Sequence, residues 1–332
     1  MLRSMYSGIS GMKVNQTKLD VIGNNIANVS TTGFKSSQAR FKDMLYQNAG
    51  YASNPSTNKG GTNAKQVGLG AQLSSINKMM GQGNAMSTGR SLDVCVDGEG
   101  YLVVCSGPIK GKSTLGADGK FSGDMSQTLY TRDGNLCLDE NGSLLTADGY
   151  RIMGYEIDGA AFDGTEGSNK ITIGTQEEGK LKYKAKDLRP LSIPDSVIKD
   201  SKEVKIRTFN IGKDGLITAV LADGSKYAIG QIAMASFKNP EALSGVGGNL
   251  LQDGANTGTV VIRDAIDETA TDTTTSNEGG YGDFIQGALE GSNVDLTEQF
   301  TDMIVATRAF QASSKMISNG DEILQTITGL VR

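Results

Sequence analysis

The sequence predicts an α+β protein with long N- and C-terminal helices that pair as a coiled-coil-like inner domain, an antiparallel all-β middle domain and a small β insertion domain. Apolar residues recur about every 3.5 residues at both ends of the chain, which is typical of helices that pack lengthwise on other helices. Between the ends the apolar period changes to two, and Asp-Gly and Asn-Gly dipeptides punctuate it as in hairpins. The two ends also carry opposite net charge, which favours their packing together.

The N-terminal helix, expected to end near residue 29, carries a seam, meaning the row of side chains that should face a neighbouring helix. This N-terminal seam consists of Leu2, Met5, Ile9, Met12, Leu19 and Ile26. Gly8, Gly11 and Gly23 interrupt the helix, and each costs about 1 kcal/mol relative to alanine. Gly8 and Gly11 share one helical face with Ser4 and Asn15, so a neighbouring helix would come close there. We expect the helix to form only where packing offsets its cost, and the isolated monomer to have disordered termini.

The stretch after this helix, residues 30–65, is rich in Ser, Thr, Asn and Gly and is interpreted as an extended connector. Beyond it, residues 92–96 and 101–104 flank a turn and are expected to pair as a hairpin. A more charged segment, in which lysines alternate from Lys180 to Lys186, is interpreted as the insertion domain. The predicted domains are 1–66 with 286–332 (helical, with the connector), 67–155 with 205–285 (middle β) and 156–204 (outer β insertion).

The C-terminal helix begins at a capping box, with Asp295 as N-cap and Glu298 reaching back to it. The C-terminal seam consists of Leu296, Phe300, Met303, Phe310, Ile317, Leu324 and Val331. At about 1.5 Å per residue this helix is roughly 50 Å long and the N-terminal one roughly 40 Å. Helices of that length cannot easily bury their seams against small domains of the same chain. We interpret both seams as assembly interfaces.

Composition excludes several kinds of chemistry. The chain has no histidine, which removes Ser-His-Asp and Cys-His catalysis and His-containing metal sites. Cys95, Cys105 and Cys137 are odd in number and lack Cys-x-x-Cys spacing, so they predict neither a disulfide framework nor a zinc site. We interpret the three cysteines as small hydrophobic residues that are buried, and any further role or modification of them stays open. We predict no enzyme, no catalytic or metal residues and no cofactor.

Charge and hydropathy bear on partners and location. The net charge is −5, yet residues 1–60 carry seven Lys or Arg against Asp20 and Asp43. This asymmetry fits either a nucleic-acid arm or complementary packing of the two ends, and the lack of a dense basic patch with aromatic residues favours the second. No apolar run approaches the roughly 20 residues of a membrane span, and no cleaved signal peptide is recognisable. We expect no nucleic acid, no membrane insertion, and export by another route.

Several short motifs, at both ends of the chain and in the β region, together resemble those of one protein family. The N-terminal motifs are MLRSMYSGISG at 1–11, IGNNIAN at 22–28 and TTGFK at 31–35. The β region contributes VGLGAQ at 67–72, DGEGY at 97–101, YTRDG at 130–134, TADGY at 146–150 and GQIA at 230–233. The C-terminal motifs are LEGSNVDL at 289–296 and DEIL at 321–324. Together these motifs resemble the bacterial flagellar rod and hook proteins. The resemblance covers both ends and most of the β region, and little of 156–205.

Within that family the hook is favoured by LTEQF at 296–300, by the Gly-Gly-Asn-Leu segment within 245–251 and by the insertion after Tyr155. The resemblance implies a structural subunit of an extracellular flagellar hook, a flexible tubular joint that transmits motor torque to the filament. It implies self-assembly through the terminal helices and contact with rod proteins, hook–filament junction proteins, the hook cap and the flagellar export apparatus. The alternatives are a distal rod protein and, more remotely, an extracellular β-rich enzyme or adhesin. Helical symmetry, hook length and the surface role of the insertion stay open.

Overall fold

The computed structural model describes residues 2–55, 57, 59–108, 111–115, 121–123, 125, 127–157, 160–162, 171–173, 183–199, 202–263 and 281–330. The described chain divides into two compact units. Unit one comprises residues 1–29, 35–79 and 294–332, and unit two comprises 30–34 and 80–293. The chain therefore leaves unit one twice, and both terminal helices belong to the same unit.

Unit one contains two helices and a ribbon of four strands. Its elements are α1 (Leu2–Ala27), β1 (Ser37–Asp43), β2 (Tyr46–Gly50), β3 (Lys65–Gly68), β4 (Ala71–Lys78) and α2 (Leu296–Leu330). β1 pairs antiparallel with β4, and β2 pairs antiparallel with β3, so the strands form one long two-stranded hairpin. The predicted extended connector is therefore part of an ordered hairpin. Local composition did not show this, because the ladder joins residues that are far apart along the chain.

Unit two is almost wholly β, as the period of two predicts. Its strands are β5 (Ala85–Ser87), β6 (Val94–Asp97), β7 (Tyr101–Ser106), β8 (Ser113–Leu115), β9 (Phe121–Gly123), β10 (Gln127–Thr131), β11 (Leu136–Leu138), β12 (Leu144–Thr146), β13 (Arg151–Ile157), β14 (Ala160–Phe162), β15 (Ile171–Ile173), β16 (Tyr183–Pro190), β17 (Ser196–Lys199), β18 (Lys202–Ile211), β19 (Leu216–Leu221), β20 (Lys226–Ile232), β21 (Met234–Ser236), β22 (Ser244–Gly247), β23 (Leu250–Gln252), β24 (Val261–Ile262), β25 (Asp283–Gln286) and β26 (Ala288–Glu290). Among the described strands the pairings are antiparallel, except for the parallel pair β15–β17.

Strand β7 explains how unit two holds two cores. It pairs with β10, β13 and β21, and its side chains alternate between two buried clusters. Leu102 and Val104 lie in one cluster, whereas Tyr101, Val103 and Cys105 lie in the other. Because both faces of β7 are buried, its sequence is a continuous apolar run rather than an alternation of apolar and polar residues.

The structure contradicts one prediction about the β region and leaves another open. Residues 94–97 pair with β25 (Cys95 lies opposite Ile285) rather than with residues 101–104, so the predicted hairpin across the Asp97–Gly100 turn is wrong. In the predicted insertion, 156–204, Ile171 and Val197 are fully buried and belong to the same apolar cluster as residues of the middle β domain, and the bounds of the insertion domain stay a prediction. The lysines at 180 and 182 lie outside the described residues.

A buried ion pair anchors the last strand of unit two. Nη1 of Arg132 lies 3.1 Å from Oε1 of Glu290, and the two side chains are 5% and 0% exposed. Nε of Arg132 donates to the carbonyl oxygen of Gly100 at 2.9 Å, and Nη2 donates to that of Gly98. The backbone N–H of Gly83 donates to Oε1 of Glu290 at 2.9 Å. The buried charges of Arg132 and Glu290 thus neutralise each other, and both side chains are hydrogen-bonded. Removing either one would leave the other charge buried and unpaired, which strongly destabilises a fold.

Candidate assembly interface

The terminal helices pack on each other inside unit one, and glycines set how closely they approach. A Cβ built on Gly8 would lie 3.3 Å from Cγ1 of Ile317 and 3.4 Å from the carbonyl oxygen of Ser313. From the other helix, a Cβ on the buried Gly320 would lie 3.1 Å from Cγ of Met5. The sequence predicted a close neighbouring helix at the Gly8 face, and the structure identifies α2 as that helix. A supercoil of the pair stays a prediction.

Asn25 joins three elements of unit one. Its side chain is buried, the residue being 1% exposed. Nδ2 donates to the carbonyl oxygen of Ser37 at 2.8 Å and to Oε1 of Gln299 at 3.0 Å, and Oδ1 accepts from the N–H of Ser37 at 2.9 Å. Asn25 thereby ties α1 to α2 and to the start of β1. The sequence interpretation missed this role, and the available signal was a polar residue next to the apolar Ile22 and Ile26 in IGNNIAN.

One ion pair crosses the helix pair. Nζ of Lys18 lies 3.1 Å from Oδ1 of Asp302, and the two side chains are 24% and 36% exposed. At that exposure such a pair contributes about 0–1 kcal/mol. The pair joins a cation of the positively charged N-terminal end to a carboxylate of the negatively charged C-terminal end. Its contribution to stability is small.

The start of α2 confirms Asp295 as the N-cap. Oδ1 of Asp295 accepts from the backbone N–H of Thr297 at 2.8 Å and of Glu298 at 3.3 Å. These are two of the amides that a helix N-terminus leaves unpaired. The reciprocal contact from the side chain of Glu298 stays a prediction.

The predicted seams are only partly covered by the helix pair. The half-buried members are Met5, Met12, Leu19, Ile26, Met303, Phe310, Ile317 and Leu324. The exposed members are Ile9 (37%), Leu296 (40%) and Phe300 (50%). The side chain of Leu2 and the whole of Val331 lie outside the described residues.

Helix geometry explains which members of the C-terminal seam face outward. A straight α-helix has 3.6 residues per turn, so a strict seven-residue repeat drifts by about 20° per heptad. Over the four heptads from Leu296 to Leu324 the drift is therefore about 80°. Leu324 is half-buried, whereas Leu296 is rotated out to 40% exposure. Ala306 and Gly320, which the seam omits, are buried instead, and Gly320 lies against Met5 of α1.

A second apolar row lies on the solvent side of α2, and we term it the outer stripe. It consists of Val305, Ala312, Met316, Ile323 and Leu330. Val305 is 56% exposed, Met316 52% and Leu330 81%. The sequence interpretation missed this row, although its spacing of seven, four, seven and seven residues is a helical signal. A helix that is apolar on two faces needs cover on both, and α1 covers one.

The described residues hold no group of three or more His, Cys, Asp or Glu side chains placed to bind a metal ion. No helix in the described part of the chain is both long and apolar enough to cross a membrane. All three cysteines are free thiols, with Cys95 and Cys105 buried and Cys137 half-buried. Burial raises the pKa of Cys105 to about 11, so its thiol is protonated near neutral pH.

Three families match separate parts of the chain. Residues 5–35 match the flagella basal body rod protein family. Residues 95–219 match the D1 domain of the flagellar hook protein FlgE/F/G family, and residues 285–330 match the C-terminal domain of the flagellar basal body rod FlgEFG proteins. The first and last matches cover most of α1 and all of α2, and the middle one covers a large part of unit two.

Individual relatives match over the whole chain. The flagellar basal-body rod protein FlgG of Bacillus subtilis is 40% identical over 332 aligned positions, covering 100% of both chains. FlgG of Borreliella burgdorferi is 31% identical over 333 positions, again covering 100% of both. The flagellar hook protein FlgE of Borreliella burgdorferi is 29% identical over 455 positions, covering 99% of this chain and 100% of the relative. That last alignment is longer than the 332 residues of this chain because the relative has segments that this chain lacks.

Proposed function

Because the chain belongs to the family of flagellar basal-body rod and hook proteins, we propose that it is a subunit of the flagellar hook. In this proposal the subunits polymerise through their terminal helices into a flexible tube that transmits motor torque to the filament. The helices form the inner wall of the tube and the β domains lie outside it. Members of this family are structural components of the flagellum, and the proposed role is structural rather than enzymatic.

The outer stripe of α2 is the observation that carries the proposal. Three of its members, Val305, Met316 and Leu330, expose more than half of their surface. Each apolar side chain left in water forgoes roughly 1.5–3 kcal/mol of burial free energy. A row that runs most of the length of a 35-residue helix fits a partner of similar length. A terminal helix of the next subunit is such a partner, and every subunit supplies one.

Position along the flagellum divides the proposal into two candidates. The hook is favoured by LTEQF at 296–300, by the segment 245–251 and by the extra β sequence after Tyr155. The distal rod is the second candidate, favoured by the 40% identity to a protein named FlgG that aligns over its full length. In either position the proposed partners are further copies of this chain, neighbouring rod and hook–filament junction proteins, the hook cap during growth and the export apparatus. The hook position would make the protein extracellular.

Immunogold electron microscopy of purified flagellar bases separates the two candidates. Label along the curved segment outside the cell envelope is expected for a hook subunit, together with straight rods that end without a hook in a strain lacking the gene. Label on the straight segment, with truncated rods in that strain, would assign the chain to the distal rod. Label on neither segment, or full motility without the gene, would overturn the structural proposal.

Variants of the outer stripe test the mechanism of assembly. Met316→Lys places a charge in the stripe and should prevent formation of sedimentable polymer by the purified protein. Ser318→Lys adds the same charge at an exposed position on another face of α2 and should polymerise like the wild type. Deleting residues 300–332 should abolish polymerisation while residues 70–285 stay folded. Equal sedimentation of the two lysine variants would remove the stripe from the mechanism.

A further inference from the structure

Three sulfur atoms meet inside unit two. Sγ of Cys105 lies 3.0 Å from Sδ of Met153 and 3.4 Å from Sδ of Met125. We term these three residues the sulfur cluster. Cys105 belongs to β7, Met153 belongs to β13, and Met125 lies between β9 and β10. Their spacing along the chain matches no metal motif, so only the pairing of strands brings the three sulfur atoms together.

The sulfur cluster is buried at two of its members and reaches the surface at the third. Cys105 and Met153 are fully buried in the apolar core that also contains Val103. Met125 is half-buried at the edge of that core. A Cβ built on Gly111 would lie 2.6 Å from Cε of Met125 and 3.2 Å from its Sδ, so glycine at this position leaves room for the thioether. Met125 is therefore the side chain past which a small ion can reach the thiol.

Sulfur donors select a particular class of metal ion. Thiolate and thioether ligands are soft and suit Cu(I), whereas carboxylate, carbonyl and water ligands suit Mg²⁺ and Ca²⁺. With metal–sulfur bonds of about 2.3 Å, three sulfur atoms around a trigonal ion lie about 4 Å apart. To reach that spacing, Sδ of Met125 would move about 0.6 Å from Cys105 and Sδ of Met153 about 1 Å. Unbranched side chains with three rotatable bonds allow such shifts.

Charge distinguishes Cu(I) from divalent ions. The charges of one thiolate, one Cu(I) ion and two neutral thioethers sum to zero, so this complex adds no net charge to an apolar core. Zn²⁺ in the same place would leave one buried positive charge, which is costly when nothing pairs with it. Arg151 lies opposite Cys105 in the β7–β13 ladder and already supplies a cation nearby. A monovalent ion is therefore the better occupant.

The core that holds the sulfur cluster also contains an unpaired hydroxyl group. Oγ of Ser113 is buried and has no hydrogen-bond partner among the described residues. Ser113 lies opposite Leu188 in the β8–β16 pair, so the two side chains point to the same face. Leu188 belongs to the same buried core as Cys105 and Met153. The O–H of Ser113 is thus available to a thiolate in that core, and charged acceptors form stronger hydrogen bonds than neutral ones.

We propose that the sulfur cluster binds one Cu(I) ion, with Sγ of Cys105 and Sδ of Met125 and Met153 as its three ligands. On binding, the S–H bond of Cys105 breaks and a Cu–S bond forms. The proton passes to solvent, and copper keeps its oxidation state. The bound ion links Met125 to strands β7 and β13. The site lies within one chain, so the inference does not depend on the proposed function.

Competition with a coloured chelator measures the binding. The purified full-length chain carries Cys137→Ser, which removes the half-buried thiol, and is titrated without oxygen against the Cu(I) complex of bathocuproine disulfonate. We expect each chain to withdraw one Cu(I) ion from the chelator. Cys105→Val in the same background should withdraw none, and circular dichroism checks that this variant is folded. No withdrawal by the parent chain would overturn the inference. Equal withdrawal after Cys105→Val would also overturn it, as adventitious binding elsewhere.

Methionine substitutions separate a ligand from a side chain that only packs. Met125→Leu conserves volume, so it should fold, but it removes one thioether. Losing a group that merely supports a ligand already lowers metal affinity by about 10–100-fold, so losing this ligand should lower it at least about tenfold. Met80→Leu is the matched control and should bind like the parent chain. Met80 packs against the same core, and the O–H of Tyr101 donates to its sulfur at 3.5 Å. Equal affinity of the two variants would contradict the proposed ligand set.

X-ray absorption at the copper edge identifies the donor atoms. Three sulfur neighbours at about 2.3 Å are expected in the parent chain and two in Met125→Leu. Nitrogen or oxygen neighbours in the parent chain would contradict the inference. Excess Zn²⁺ should not displace the bound Cu(I), because the divalent ion leaves a buried charge, and displacement would refute the argument from charge.

Discussion

Replacing Arg132 by methionine should destabilise unit two more than any substitution on its surface. The variant keeps an apolar stem but removes the cation that lies 3.1 Å from the buried carboxylate of Glu290. It also removes donors to the carbonyl groups of Gly98 and Gly100, and the guanidinium centred 5.3 Å from the ring of Tyr101. Losing one partner of a buried pair typically costs about 3–5 kcal/mol. For a unit of this size the melting temperature should fall by roughly 6–20 °C.

Urea unfolding followed by tyrosine fluorescence measures this cost, since the chain has ten tyrosines and no tryptophan. The midpoint should fall with little change in the slope of free energy against urea. Arg207→Met is the matched control, because Arg207 is exposed, and its effect should stay within about 0.5 kcal/mol. Arg132→Met combined with Glu290→Gln should be less destabilised than Arg132→Met alone, since no unbalanced charge remains. If the free energy of unfolding of Arg132→Met lies within about 1 kcal/mol of the wild type, or its urea midpoint is no lower than that of Arg207→Met, the ion pair does not anchor the strand.

Three further substitutions test the helix pair and a buried thiol. In the assembled polymer, Gly8→Leu should separate α1 from α2 and abolish hydrogen-exchange protection of α1, because a Cβ there already lies 3.3 Å from the facing side chain. Gly23→Leu, with nothing within 4 Å of a Cβ at that position, should leave the protection intact. Phe310→Ala should cost about 2 kcal/mol, below the range for a fully buried Phe, and reduce sedimentable polymer, whereas the exposed Lys315→Ala should not. Burial raises the pKa of Cys105 from 9.0 to about 11, so the thiol contributes stability that is fully present below pH 9 and is lost as the pH rises to 11. The free energy of unfolding of Cys105→Val should therefore fall less steeply between pH 9 and pH 11 than that of the wild type. An equal fall in both proteins would show that the buried thiol does not cause it.

The sequence determined the type of the main elements because that information is local. The 3.5-residue period places helices at both ends, and Asp295 marks where the second one starts. The period of two and the Asp-Gly turns place strands between them, and glycines mark the close face of α1. The lack of histidine excluded a class of catalysis without any structure. Each of these signals depends on residues only a few positions apart, so it can be recognised in the sequence alone.

Tertiary structure decided which elements meet and which faces stay open. Val94–Asp97 pairs with Asp283–Gln286, nearly 200 positions further on, rather than with the strand next to it in sequence. Asn25 gained its role only when α1, α2 and β1 came together. The seam drifted around α2 and left Leu296 and Phe300 exposed, because a straight helix does not keep a seven-residue repeat on one side. Residue patterns set which conformation each segment prefers, but strand partners and open faces depend on the summed free energy of contacts between distant segments, and no short stretch of sequence contains that sum.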